Sequence, residues 1–329
     1  MKILIVYNTI IPAIKYGGIE RVMWDLGKEL NKLGHKVSYL VAKGSTCPFA
    51  EEVYEYDPSI DINEQIPNSI DVIHLNSQSD SIQNKPYIST FHGNVNNEFT
   101  FDKNTVFVSQ NQATRYHGSV YVHNGLDWDR YEKPQLGVDR KYFHFLGDAS
   151  WKVKNVVGAV QITKKAEEKL VVLGGNRLNL NMGIRFTPDL HVSFKGSVDN
   201  FQKAKYLNKS KGMIFPALWH EPFGLAIIES IYFGCPVFGS TYGSLPELIP
   251  APIGILSNSI NTLAGSLKNA SLFSPKLLNE YAATNFNSQV MAKQYINLYE
   301  KVMNGESLHS TSPYLNTEGI TPKRFKLDS

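Results

Sequence analysis

The chain has 329 residues, 42% apolar and 19% charged, with a formal net charge of +3. That is ordinary globular material, long enough for two domains, and no uninterrupted apolar run reaches the ~18 residues of a membrane span. Charge is uneven, −4 over residues 1–140 and +7 over 141–329; a basic second half suits an anionic ligand, while a pI near 8.6 without a clustered basic stripe argues against nucleic acid.

Lys2–Tyr7 is a compact apolar run that reads as a first strand rather than a signal peptide. Gly17 and Gly18 follow in a loop, then helical spacing over residues 19–33, a stop at Gly34 and a second strand over 35–42. This order is the βαβ unit of a parallel sheet. Cys47 and Cys235 are far apart and match no metal spacing, which makes a reducing cytoplasm the default. Further strands are predicted over 71–76, 87–91, 105–109 and 119–123. Ligands of open parallel sheets bind beyond the carboxyl ends of strands, so His92 is a candidate, against the alternative of a satisfied loop histidine. Asn124-Gly125 reads as a turn, and Asp127-Trp128-Asp129 spells a D-x-D, a metal-diphosphate pattern.

Residues 128–140 are polar and Pro-containing, a linker, after which the pattern restarts. Strands are predicted over 141–147, 169–173 and 191–195 and helices over 156–167 and 200–208. Between the first strand and helix lies the loop of residues 146–155, with Asp148, Lys152 and Lys154. Residues 213–218 form a buried strand, Pro222 turns the chain, and residues 224–233 form a helix closed by Gly234 and Pro236. Beyond it come a short strand at 252–256 and helices at 260–270, 275–283 and 288–303. Residues 305–329, rich in Ser, Thr, Pro and charge, read as a flexible or surface-lying tail.

The 224–233 helix is apolar on every face, which makes Glu229 anomalous: a buried carboxylate demands a specific partner. Ahead of it, Glu221 and the amides of Phe223, Gly224 and Leu225 occupy a helix N-terminus that favours oxygen-rich ligands. This elbow suits a polyhydroxylated ligand, or else Glu221 is an ordinary helix-start acid and Glu229 a salt-bridged core residue.

The run from Glu221-Pro-Phe-Gly-Leu through Glu229 to Gly234-Cys-Pro-Val resembles the E-x7-E signature of family 4 retaining glycosyltransferases of the GT-B fold. The resemblance implies an α/β protein of two facing Rossmann-like domains with an interdomain cleft: residues 1–133 with a helix at 288–304 packing back onto them, and residues 141–286. It implies metal-independent, retaining transfer of a hexosyl-type sugar from a nucleotide diphosphate, a uridine donor by the fold family's habit. The acceptor would be a glycan, lipid-linked or small-molecule hydroxyl, in glycan or glycolipid synthesis. No cofactor or nucleic-acid partner is implied, nor more than peripheral contact at the inner face of a membrane.

In this family the second Glu holds the donor ribose, a role that falls on Glu229. Glu221 with the Phe223, Gly224 and Leu225 amides takes the transferred sugar, Lys154 the diphosphate, and His92 the sugar from the first domain; Gly17, Gly18 and Val198 complete the donor set. The D-x-D belongs to the other glycosyltransferase fold, and its setting makes that role unexpected. Relatives have an Arg where this chain has Asp148, so Lys152 replaces that cation, Arg177 reaches in, or the protein binds a sugar nucleotide with slow turnover. The rival activities are a sugar-nucleotide epimerase of the same fold and a sugar-nucleotide-binding protein. The whole reading depends on Glu229: locked to a cation and turned away from the cleft, it would bind no ribose.

Overall fold

A computed structural model describes residues 1–13, 17–78, 82–180, 182–316 and 327–328. The chain divides into two compact units, one of residues 1–127 and 286–320, the other of residues 128–285 and 321–329.

In unit 1 the strands are β1 Lys2–Tyr7, β2 Lys36–Val41, β3 Val53–Glu55, β4 Val72–Leu75, β5 Tyr87–Phe91 and β6 Thr105–Phe107. They form one parallel sheet in the order β3-β2-β1-β4-β5-β6. Both faces are covered, which is why β1 from Ile3 to Val6 and β2 from Val37 to Val41 are buried at every residue instead of at alternate ones. Leu4, Val6, Leu40, Ile73 and Leu75 fill one side. The Ser288–Met303 helix lies in this unit and packs on β5 and on the Gly18–Lys32 helix.

Two expectations for unit 1 fail. No strand forms over 119–123; Tyr121 makes a single bridge to Phe107, because the Ser119 and Val120 amides donate to the imidazole of His309 instead of continuing the ladder. That same histidine belongs to the region read as a loose tail. Within residues 305–316 the chain is pinned: Tyr314–Leu315 pairs antiparallel with Phe99–Thr100, the Leu308 amide donates to Asn104, and His309 is buried edge-on against Phe107. Residues 317–326 and 329 of that tail lie outside the described residues.

Unit 2 has β7 Tyr142–Leu146, β8 Leu170–Leu173, β9 Val192–Phe194, β10 Ser210–Phe215, β11 Val237–Gly239 and β12 Gly254–Leu256. The sheet is again parallel, in the order β9-β8-β7-β10-β11-β12. Phe143, Phe145, Val172, Ile214 and Phe238 join the Val156–Lys165 helix and Leu263 in a single core. Strands β3 and β11 are not among those predicted. Each is three residues long.

Candidate functional site

The site is built first from the elbow of unit 2. Strand β10 is buried and ends at Pro216; the chain then turns back into the Leu225–Tyr232 helix, whose Ile227, Ile228 and Ile231 are inaccessible to solvent. Gly224 caps this helix at φ 102°, a left-handed conformation that only glycine adopts cheaply. The turn at Gly243 closes on the elbow from behind. A Cβ there would fall 2.2 Å from the Glu221 nitrogen and 2.5 Å from its oxygen, and the next residue, Ser244, donates its amide to the Glu221 carbonyl (3.0 Å) and its hydroxyl to the Phe223 carbonyl (2.6 Å). The carbonyls are thereby tied off behind the elbow, at the helix start where the first amides lack intrahelical acceptors.

Glu221 is 6% exposed. Its two oxygens accept from Lys154 Nζ at 2.8 and 2.6 Å, and Oε2 also accepts from Trp219 Nε1 at 2.8 Å. Lys154 in turn sits over the Trp219 ring, 4.9 Å from its centroid. The loops carrying these residues are laced together: the Leu218 amide donates to the Val153 carbonyl, and Asn155, which caps the Val156–Lys165 helix, donates to the Pro216 carbonyl. Sequence assigned Glu221 to sugar and Lys154 to diphosphate; the structure brings them into one ion pair.

Glu229 is 2% exposed and has the partner its burial demands. Oε1 accepts from Lys203 Nζ in a short ion pair and from the Tyr131 hydroxyl at 2.8 Å. This is the salt-bridged arrangement weighed against a ribose role, and a ribose hydroxyl reaching Glu229 has to share the carboxylate with Lys203 and Tyr131. Sequence reasoning missed Lys203. Its signal was a buried acid in need of a cation, which names no particular lysine among many. Lys203 lies in the Asn200–Leu207 helix, which Asp199 and Gln202 open with a capping box directly after Val198, a partly exposed residue. The aromatics of the former linker gather here too: Trp128 stacks on Tyr232 at 4.1 Å between centroids, and Tyr131 lies edge-on to both.

Arg177 donates to the carbonyls of Thr187, Asp189 and Val192. Lys152 is exposed and lies against the turn at Gly183, outside the Lys154–Glu221–Trp219 cluster. Asp148 itself folds onto Ser150, accepting from its amide and hydroxyl.

In unit 1, His92 follows β5 and places Nε2 2.9 Å from Asn76 Oδ1. Burial pushes its pKa down to about 4, so it is a neutral imidazole at physiological pH. Asn76 Nδ2 is buried and has no hydrogen-bond acceptor. An orphaned donor beside a neutral histidine, both at strand ends, is a place for a ligand oxygen. Asn76 was missed because a single Asn after a strand carries no motif. Gly17 precedes the Gly18–Lys32 helix, where a Cβ would fall 2.6 Å from Glu20 Oε2. Asp127 is an ordinary structural acid: Oδ2 accepts from Lys28 at 2.6 Å. Among the described residues no three His, Cys, Asp or Glu side chains are placed to share a metal ion, and no helix is long and apolar enough to cross a membrane.

Residues 128–258 match the family model described as glycosyl transferases group 1. No curated protein matches the chain in sequence. Solved structures match it in fold. AviGT4, a glycosyltransferase involved in avilamycin A biosynthesis, aligns at TM-score 0.74 and 18% identity over 92% of this chain and 98% of that one. Sucrose-phosphate synthase from Thermosynechococcus elongatus gives 0.69 and 18% over 93% and 100%; Anabaena HepE in complex with UDP-glucose gives 0.63 and 16% over 91% and 99%. The fold is therefore GT-B, two Rossmann-like domains each built on a parallel sheet.

Proposed function

We propose that the protein is a retaining, metal-independent glycosyltransferase that moves a sugar from a nucleotide diphosphate to an acceptor hydroxyl. The observation that carries this reading is the elbow: a buried carboxylate, a lysine and an indole N–H grouped at the amide-lined start of the Leu225–Tyr232 helix. The helix start and its dipole favour a diphosphate or sugar oxygen there, and Lys154 supplies the positive charge that a departing phosphate needs. Glu221 and the Phe223–Leu225 amides hold the sugar, and Glu229 with Lys203 and Tyr131 receives the ribose. In unit 1, His92 and Asn76 offer a ligand oxygen a place of their own; His92→Ala should slow transfer, and an unchanged rate would leave His92 an ordinary loop residue. The bond from the anomeric carbon to phosphate breaks, the acceptor oxygen bonds that carbon from the same face, and the leaving phosphate takes the acceptor's proton.

The matched segment at residues 128–258 supports the class, and the UDP-glucose complex of HepE supports a uridine donor. A glycan, lipid-linked or small-molecule acceptor is consistent with the site. A second reading, sugar-nucleotide binding with slow transfer, is favoured by one observation: Asp148 replaces a cation while Lys152 is turned to Gly183. Thermal shift with a panel of nucleotide sugars, followed by mass and anomer analysis of products with and without EDTA, separates the two. Retained stereochemistry and EDTA-resistant turnover establish the first; donor binding without product establishes the second; product without any acceptor would mean epimerisation.

A further inference from the structure

Arg115 ends the Gln110–Arg115 helix of unit 1, which follows β6. Side chains of a helix lean toward its start, so a long one at the last position runs back over the first turn. Arg115 does so. Its Nε donates to Asn111 Oδ1 at 3.1 Å and its Nη2 to Asn94 Oδ1 at 2.9 Å, which brings the guanidinium against the loop that leaves β5. That loop is tied to the helix independently, by Gln112 donating to the Gly93 carbonyl and by the Val95 amide donating to the Tyr116 hydroxyl. The guanidinium also lies over the Tyr116 ring, 4.9 Å from its centroid.

All of these partners are neutral. The two Asn oxygens orient the charge without cancelling it, and among the described residues no carboxylate pairs with Arg115 and no hydrogen bond engages its Nη1. The acids of residues 92–118 are placed otherwise: Asp102 accepts from the Tyr87 hydroxyl and the Asn104 amide, and Glu98 is exposed. Burial lowers the pKa of the guanidinium, the mark of a cation short of counter-charge. The same rim of the sheet holds the orphaned Asn76 Nδ2, and His92, bonded to Asn76, stands two residues before Asn94. Strands β4, β5 and β6 are neighbours, so these groups line adjoining carboxyl ends. A partly desolvated guanidinium beside an unmatched amide donor calls for oxygen acceptors that carry negative charge. We propose that Arg115 forms an anion subsite in unit 1, and that the ligand received at Asn76 and His92 bears a carboxylate or a phosphate. On the transferase reading, on which this identification rests, that ligand is the acceptor: a sugar acid or a sugar phosphate.

The subsite is read without turnover, by amide hydrogen exchange of the full chain over residues 92–97 and 110–116 with glucose, glucuronate or glucose 6-phosphate. UDP is added to occupy the phosphate site assigned to unit 2. Protection by glucuronate or glucose 6-phosphate and none by glucose is expected, and which of the two protects tells a carboxylate from a phosphate. Arg115→Gln should weaken that binding about tenfold or more. Arg115→Lys, a point charge in place of a fork, should restore part of it for the phosphate. An arginine that merely braced the loop would alter all three sugars alike, and the wild-type contrast between glucose and its charged analogues stands even where a variant loosens the loop. Equal protection by glucose, no protection by either charged sugar, or undiminished binding by Arg115→Gln would each overturn the proposal. UDP separates the two claims: charged-sugar protection in a chain that binds no UDP keeps the anion subsite and removes the transferase reading, and UDP binding without that protection does the reverse.

Discussion

The two units share a strand order, and they furnish the carboxyl ends of their strands in opposite ways. Unit 1 places neutral groups there, His92 and Asn76, backed by His74, Thr90, Tyr295 and Tyr299 in one hydrogen-bonded cluster. Unit 2 places ion pairs there, Lys154 with Glu221 and Lys203 with Glu229. A common scaffold thus leaves the chemistry to a few residues past the strands. One end should respond to protons, the other to the loss of a partner.

The largest expected effect is at Glu229. Replacing it with Ala leaves Lys203 buried without this carboxylate, a loss of about 3–5 kcal/mol, read as a lower urea midpoint together with weaker donor binding. Glu229→Gln, which keeps the shape and the Tyr131 hydrogen bond, should cost less stability while still weakening donor affinity. If Gln leaves affinity intact, the carboxylate is only structural and the ribose role fails. Next comes Gly243→Ala, which puts a methyl into the Glu221 backbone at a left-handed φ of 67°. A cost of about 1–3 kcal/mol is expected, with donor affinity falling because the elbow is displaced. Lys154→Ala should then lower kcat about 100-fold with a smaller change in KM; normal turnover would remove Lys154 from the leaving-group role.

This contrast also explains what the sequence could and could not say. The elbow was legible because its chemistry is local: Pro222, Gly224 and the two acids lie within nine residues, and Gly243-Ser244 closes on them as a turn. The strands of both sheets were legible wherever an apolar run exceeded about four residues. Lys203, Tyr131 and Asn76 were not, because each becomes relevant only through a contact that the fold makes over many residues. The His309 segment failed for a related reason: a few isolated anchors, Leu308, His309 and Tyr314–Leu315, are diluted among polar residues that suggest disorder. The short pairing of Leu178–Asn179 with Arg185–Phe186 was missed because it follows Gly174-Gly175, has Gly183 in its turn and spans only two paired residues per strand.

The smallest effect concerns protons in unit 1. Burial lowers the pKa of His74 to about 3 and that of His92 to about 4, from 6.5, and each sits near the other. The unfolded chain therefore binds protons below pH 6.5 that the folded unit refuses. Their contribution to stability is complete above pH 6.5 and is lost as pH falls from there, toward about 4 for His92 and about 3 for His74. Between pH 7 and pH 5 the fully buried His74 alone should withdraw about 2 kcal/mol. His144, buried in unit 2 between Ser210 and Ser230 with its pKa lowered to about 3, adds a share of its own. The two shares are separable by denaturation at both pH values in His74→Gln and His144→Gln. Each variant should lose stability at pH 7 yet show a shallower pH slope than the wild type, and a slope unchanged in His74→Gln would mean that the buried cluster behind His92 is not where the protons are refused.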